Sequence, residues 1–103
     1  MADTITVQYL PGCPHLDLAR DRVAEALRRL DGAAPTVTVE EIADEMEAER
    51  IGFRGSPTVL VDGVDPFADP GSPPAWTCRV YRHGARSDGA PSVEQLVAAI
   101  SAR

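Results

Sequence analysis

A chain of 103 residues is long enough for one domain, residues 1–103, with a single modest core, and too short for two. A formal charge of −6 speaks against nucleic acid or an anionic membrane as partner, since either needs a basic face. Every Lys/Arg position is arginine, so lysine-based covalent chemistry is excluded.

Residues 4–10 (TITVQYL) are β-branched and aromatic and predict a strand with apolar residues on both faces. No charged n-region and apolar h-region precede it, and no apolar run approaches the ~20 residues of a membrane span. The expected address is therefore cytoplasmic, where thiols stay reduced. From residue 14 to 30, Leu16, Ala19, Val23, Ala26, Leu27 and Leu30 recur at helical spacing, with Gly32 as the stop. Residues 36–42 (TVTVEEI) alternate and predict a second strand. Residues 43–51 form a short acidic helix ended by Gly52. Residues 58–61 are a compact apolar strand followed by the hairpin signal Asp62-Gly63. Residues 64–75, with four prolines and no period, read as an irregular loop that Phe67 and Trp76 pin to the body. Residues 76–82 (WTCRVYR) alternate as the return strand, and 83–91 form a polar connection that leaves His83 at the surface. Ser92 with Gln95 is a capping box for the last helix, whose buried stripe is Val93, Leu96 and Ile100. The order is β-α-β-α-β-β-α.

The chemistry gathers at Leu10-Pro11-Gly12-Cys13-Pro14-His15-Leu16, where the first strand meets the first helix. A cysteine there faces unpaired helix N–H groups and the positive end of the dipole, which stabilise a thiolate. Pro14 suits the first helical position, where its missing N–H costs nothing. A protonated His15 beside the thiol favours the thiolate further. His15 reads as an exposed modulator of Cys13, with general base as the alternative. The plainer reading of His83 is as a surface residue, and that of Cys78 is a small buried hydrophobe on a strand.

Cys13-Pro14-His15, followed by Gly52-Phe53-Arg54-Gly55-Ser56-Pro57-Thr58, resembles the thioredoxin-fold superfamily. With Cys78-Arg79-Val80-Tyr81 the pattern also resembles small bacterial thioredoxin-like proteins sometimes labelled alkylmercury lyase. The resemblance implies a four-stranded mixed sheet with helices on both faces. It also implies a cis Ser56-Pro57 bond beside Cys13, and Ser56 backbone groups that hold an extended substrate. Where the family's second cysteine would stand, this chain has Leu16. Cys13 can attack a disulfide, but no neighbour three residues on resolves the product. Resolution must then come from glutathione, from another protein or from Cys78 as a second catalytic residue. Monothiol exchange is the expected cycle, with glutathione as the candidate co-substrate and no bound cofactor. Arg54 is the candidate to meet a carboxylate such as that of glutathione, the plainer reading being a solvated side chain. The alternative is a non-enzymatic module that binds a partner or sequesters a metal such as mercury through Cys13, His15 and Cys78, although the spacing demands no metal site. In the expected hairpin Cys78 faces Asp62, about 13 Å along the strand from Pro57, beyond the ~7 Å a disulfide allows. A stable glutathione adduct on Cys13 is the expected product. The sequence leaves the oligomeric state unspecified.

Overall fold

The central strand forms where its β-branched residues place it, in a computed structural model that describes residues 1–103. In chain order the elements are β1 (Thr4–Tyr9), α1 (Leu16–Arg29), β2 (Thr36–Glu41), α2 (Glu45–Ile51), β3 (Arg54–Ser56) and β4 (Thr58–Val61). There follow β5 (Ala75–Cys78), β6 (Tyr81–His83), β7 (Arg86–Asp88) and α3 (Val93–Ser101). β1 pairs in parallel with β2 and antiparallel with β4, giving the order β2-β1-β4. Ile5, Val7, Val59 and Val61 meet Ala19, Val23 and Ala26 of α1 and Leu96 and Ile100 of α3 in the main core. The Ser92–Gln95 capping box forms as expected. A cap contributes about 1 kcal/mol, whereas fully burying Leu96 or Ile100 contributes ~1.5–3 kcal/mol each. Packing on the sheet therefore holds α3, and the cap sets where it starts.

The expected four-stranded thioredoxin-like sheet does not form. Asp62-Gly63 does make its turn, with φ of 51° and 79°, both positive as a tight hairpin requires. Val61 and Val64 exchange backbone hydrogen bonds of 2.8 and 3.1 Å, and pairing stops there. Continued in register, Val59 would meet Pro66, which has no N–H to give the ladder. The expected return strand is split instead. β5 runs parallel to β3, and β6 pairs with β7 in a separate hairpin. The molecule thus carries one three-stranded sheet and two two-stranded ones.

Helix placement differs too. α1 and α3 share the Ile5–Val7 face, but α2 packs mainly against β5 rather than on the opposite face of the central sheet. Its Ala48 joins Ile42 and Phe53 in a second, smaller core. The opposite face of β1 is polar, with Thr6 bonded to Thr38 at 3.3 Å and Gln8 to Glu40 at 2.7 Å.

Candidate functional site

Cys13 lies two residues before the His15 cap of α1, outside the first helical turn. Pro14 is exposed and likewise outside the helix, so it is not the first helical residue that the sequence suggested. A turn ends on the cysteine, whose N–H donates to the Leu10 carbonyl at 3.1 Å, and Gly12 supplies the positive φ of 76° that the turn uses. The Leu10 N–H donates in turn to the hydroxyl of Ser56 at 3.0 Å. Ser56 is fully buried and joined to Pro57 by a cis peptide bond.

Ser56 faces Cys78 across the β3–β5 pair, and its carbonyl accepts the Arg79 N–H at 2.9 Å. Cys78 therefore stands at the Pro57 end of the molecule and not opposite Asp62. With no hairpin pairing beyond Val61–Val64, β5 does not hold Cys78 at the Asp62 end of β4. A path of contacts runs from Cys13 through Leu10 and Ser56 to Cys78. Both thiols are free; Cys13 is half-buried and Cys78 exposed, so Cys78 is no core hydrophobe. The same pairing occupies the Ser56 carbonyl that an extended substrate was expected to use.

Gly55 makes the close approach of β5 feasible. Its φ is 114°, and a Cβ there would stand 2.9 Å from Cβ of Arg79. Below it lies a polar network that nothing in the local sequence pattern announced. Arg79 pairs with Asp65 at 2.7 and 3.3 Å and donates to the Thr58 hydroxyl at 3.2 Å. Thr58 donates to the Gly55 carbonyl at 2.6 Å. The guanidinium carbon sits 4.6 Å over the Tyr81 ring, which Phe67 meets edge-on at 5.8 Å. Tyr81 donates its hydroxyl hydrogen to the Pro57 carbonyl. Burial pushes the Tyr81 phenol well above its ordinary value, so it stays neutral and keeps donating. Asp65 carries no local signal; only the tertiary pairing with Arg79 reveals it.

Arg54 does not join the thiols. It is half-buried and donates to the Ser72 carbonyl at 3.1 Å. With Phe67, Arg79 and Tyr81 it lines a cavity of about 410 Å³ that neither cysteine borders. The 64–75 segment is held from below by Asp65, Phe67 and Ser72, and the Trp76 indole donates to the Ile42 carbonyl at 3.0 Å. It braces β5.

His15 makes no side-chain capping bond, and its ring lies against Gly89, just before α3. A Cβ at Gly89 would overlap three ring atoms. Gly89→Ala is expected to destabilise the protein by about 1–3 kcal/mol, as overpacking does. His15→Ala should relieve most of that cost in the double variant, measured by urea unfolding. Equal costs with and without the ring would refute the contact.

The same loop carries an ion pair. Arg22 of α1 bonds Asp88 at 2.7 and 3.0 Å and also donates to the Ala90 carbonyl at 3.0 Å. The His83 ring lies 3.1 Å from Asp88, so it is not the free surface residue expected. Arg22 above all, with the Ala90 N–H, holds the Asp88 carboxyl well below the usual carboxylate range despite some desolvation. A depressed value in the fold means that this stabilisation is complete above the ordinary ~3.9 and is lost as pH falls below it. The thermal midpoint of the wild type should thus lead that of Asp88→Asn at neutral pH, with the lead shrinking in acid. A lead that stays constant with pH would assign the effect to shape rather than charge.

No group of three or more His, Cys, Asp or Glu side chains is gathered to hold a metal ion, and no helix is long and apolar enough to cross a membrane. Compared with protein-family models, with curated proteins and with solved structures, the chain matches none.

Proposed function

We propose that the chain is a thiol–disulfide exchange protein, with Cys13 as attacking thiol and Cys78 as the thiol that resolves its product. One observation carries the reading: Cys78 is in register with Ser56, whose hydroxyl is bonded to the same Leu10 that anchors the Cys13 turn. The Cys13-Pro14-His15 and Gly-x-x-Gly-x-Pro-Thr motifs support kinship with thioredoxin-like thiol proteins. The Cys13 thiolate attacks one sulfur of a substrate disulfide and expels the other as a thiolate, which takes up a proton. The Cys78 thiolate then attacks Cys13 sulfur and releases the second substrate thiol. The substrate gains two electrons and two protons, and the protein is left with a Cys13–Cys78 disulfide. Two molecules of a small thiol such as glutathione return it to the dithiol and become glutathione disulfide. Such a cycle belongs in the cytoplasm, where glutathione keeps thiols reduced.

Oxidised glutathione is the test, read by mass spectrometry of the intact protein. The expected course is a short-lived adduct on Cys13 that collapses to a chain two hydrogens lighter. Cys78→Ser should trap the adduct, and Cys13→Ser should abolish it. A lasting adduct on the wild type would return the protein to a monothiol cycle resolved by glutathione. Formation of neither species, with Cys13 still open to alkylation, would remove the redox reading and leave a non-enzymatic binding module.

A further inference from the structure

β2 is an outer strand of the central sheet, and all six of its residues are exposed. Its inner ladder to β1 is regular over its whole length, with no bulge. The Thr36 N–H donates to Asp3 at 3.0 Å and the Ile42 N–H to Tyr9 at 2.8 Å, so even-numbered residues turn their backbone polar groups inward. In a parallel ladder the alternate residues face out with both groups. Val37, Val39 and Glu41 thus present their N–H and C=O to an open edge. No proline lies within β2 to blunt it, and the only charges are Glu40 and Glu41 at one end. Val37 and Val39 are 44% and 43% exposed on the Ile5–Val7 side. They continue into a groove of about 570 Å³ whose other apolar wall is Val23, Ala24 and Leu27 of α1.

We propose that this edge pairs antiparallel with β2 of a second copy of the chain about a two-fold axis at Thr38, joining two sheets into one of six strands. Only outward-facing residues can exchange backbone bonds, which leaves three close registers. With Val37 facing its own copy, Val39 meets Pro35, which has no N–H. With Val39 facing its own copy, Val37 lies opposite the Glu41 carboxylate. With Val37 facing Val39 of the second copy, both valine pairs are complete and valine covers valine, and Pro35 meets only Glu41 at the two ends of the ladder. Thr38 then faces Thr38. Charge selects the same arrangement. A parallel pair would set the glutamates of both copies side by side, which is unfavourable. The antiparallel pair leaves the two Glu41 residues six positions apart, about 20 Å, beyond the ~8 Å Debye length at physiological salt. The match is a property of this strand with itself, which is why the occupant is a second copy rather than a foreign peptide.

Sedimentation of the full chain should show a species of twice the 11.0 kDa chain mass that grows with concentration. Val39→Pro removes only an outward N–H and leaves every bond to β1, so it should stay folded by circular dichroism and sediment as a monomer. Thr38→Cys, in a chain with Cys13→Ser and Cys78→Ser, should cross-link on mild oxidation. A directly opposed non-bonded pair has Cα atoms ~4.5 Å apart, within the ~4.4–6.8 Å of a disulfide. Glu40→Cys alone should not cross-link, because it faces Thr36; Thr36→Cys and Glu40→Cys together should. A monomer at every concentration would overturn the proposal and leave the edge to a foreign strand. A dimer that survives Val39→Pro would overturn it also. If Val39→Pro does not fold, failure of Thr38→Cys to cross-link decides against it. The thiol-free background keeps this result separate from the redox reading.

Discussion

Asp65→Ala is expected to lower stability by about 3–5 kcal/mol, as removal of one partner from a buried ion pair does. The side chains of Arg79 and Asp65 are only 10% and 9% exposed. Without the carboxylate, the guanidinium keeps one hydroxyl, Thr58, and the face of one ring, Tyr81. Neither neutralises a charge. An exposed pair such as Arg28–Glu25 is worth ~0–1 kcal/mol by comparison, so the size of the loss distinguishes a buried pair from a solvated one. Urea unfolding measures it, and a loss below about 1 kcal/mol would place Arg79 in water. Replacing the pair together, Asp65→Leu with Arg79→Met, should cost much less than Asp65→Ala, because both desolvation penalties vanish with the charges. The site should register the same change. Arg79 follows Cys78 directly and donates its N–H to Ser56. Asp65→Ala should therefore loosen the β3–β5 pair and speed alkylation of Cys78.

The elements legible in the sequence were those written locally. Residues 4–10 are β-branched and form β1; the Leu16-to-Leu30 spacing forms α1; Ser92 and Gln95 close the cap of α3. Asp62-Gly63 makes its turn because two positive φ values suit those residue types and few others. What was not legible was pairing. Residues 76–82 alternate like a strand on any partner, and alternation does not say which neighbour they take. The partner was decided by Pro66, which ends the hairpin, and by Asp65, which turns Arg79 inward. Both act across sequence gaps that no periodicity spans. The start of α1 differs from expectation for a related reason. Pro14 is compatible with a first helical turn but does not require one, and the turn that holds Cys13 uses Gly12 first. For the site, Cys13 and Ser56 could be named from motifs, whereas the position of Cys78 depended on the mispaired strand. Charge alone points Arg54 toward a ligand, whereas in the fold it donates to the Ser72 carbonyl.

Phe53→Ala is the second large effect expected, again about 3–5 kcal/mol, from lost burial and the void left behind. Phe53 is 1% exposed, and its close-packed apolar company is Ile42 and Ala48. So small a cluster has no spare side chain to fill the space of a phenyl ring, which argues against relaxation and for the upper part of the range. The backbone of Phe53 ties the same elements together. Its N–H donates to the Ala48 carbonyl in the middle of α2 at 2.9 Å, and its carbonyl accepts from Ala75 at the start of β5 at 2.8 Å. The main core around Ile5, Val7, Leu96 and Ile100 does not include these residues. The damage should accordingly be local before it is global. Amide exchange should quicken first in α2 and in the β3–β5 pair, while β1 and α3 keep their protection until the whole chain unfolds. Cys78, at the end of β5, should become more reactive toward alkylation than in the wild type. If protection falls by the same factor in every element, the two clusters melt as one unit, and the β3–β5 pair has no independent freedom with which to bring Cys78 toward Cys13.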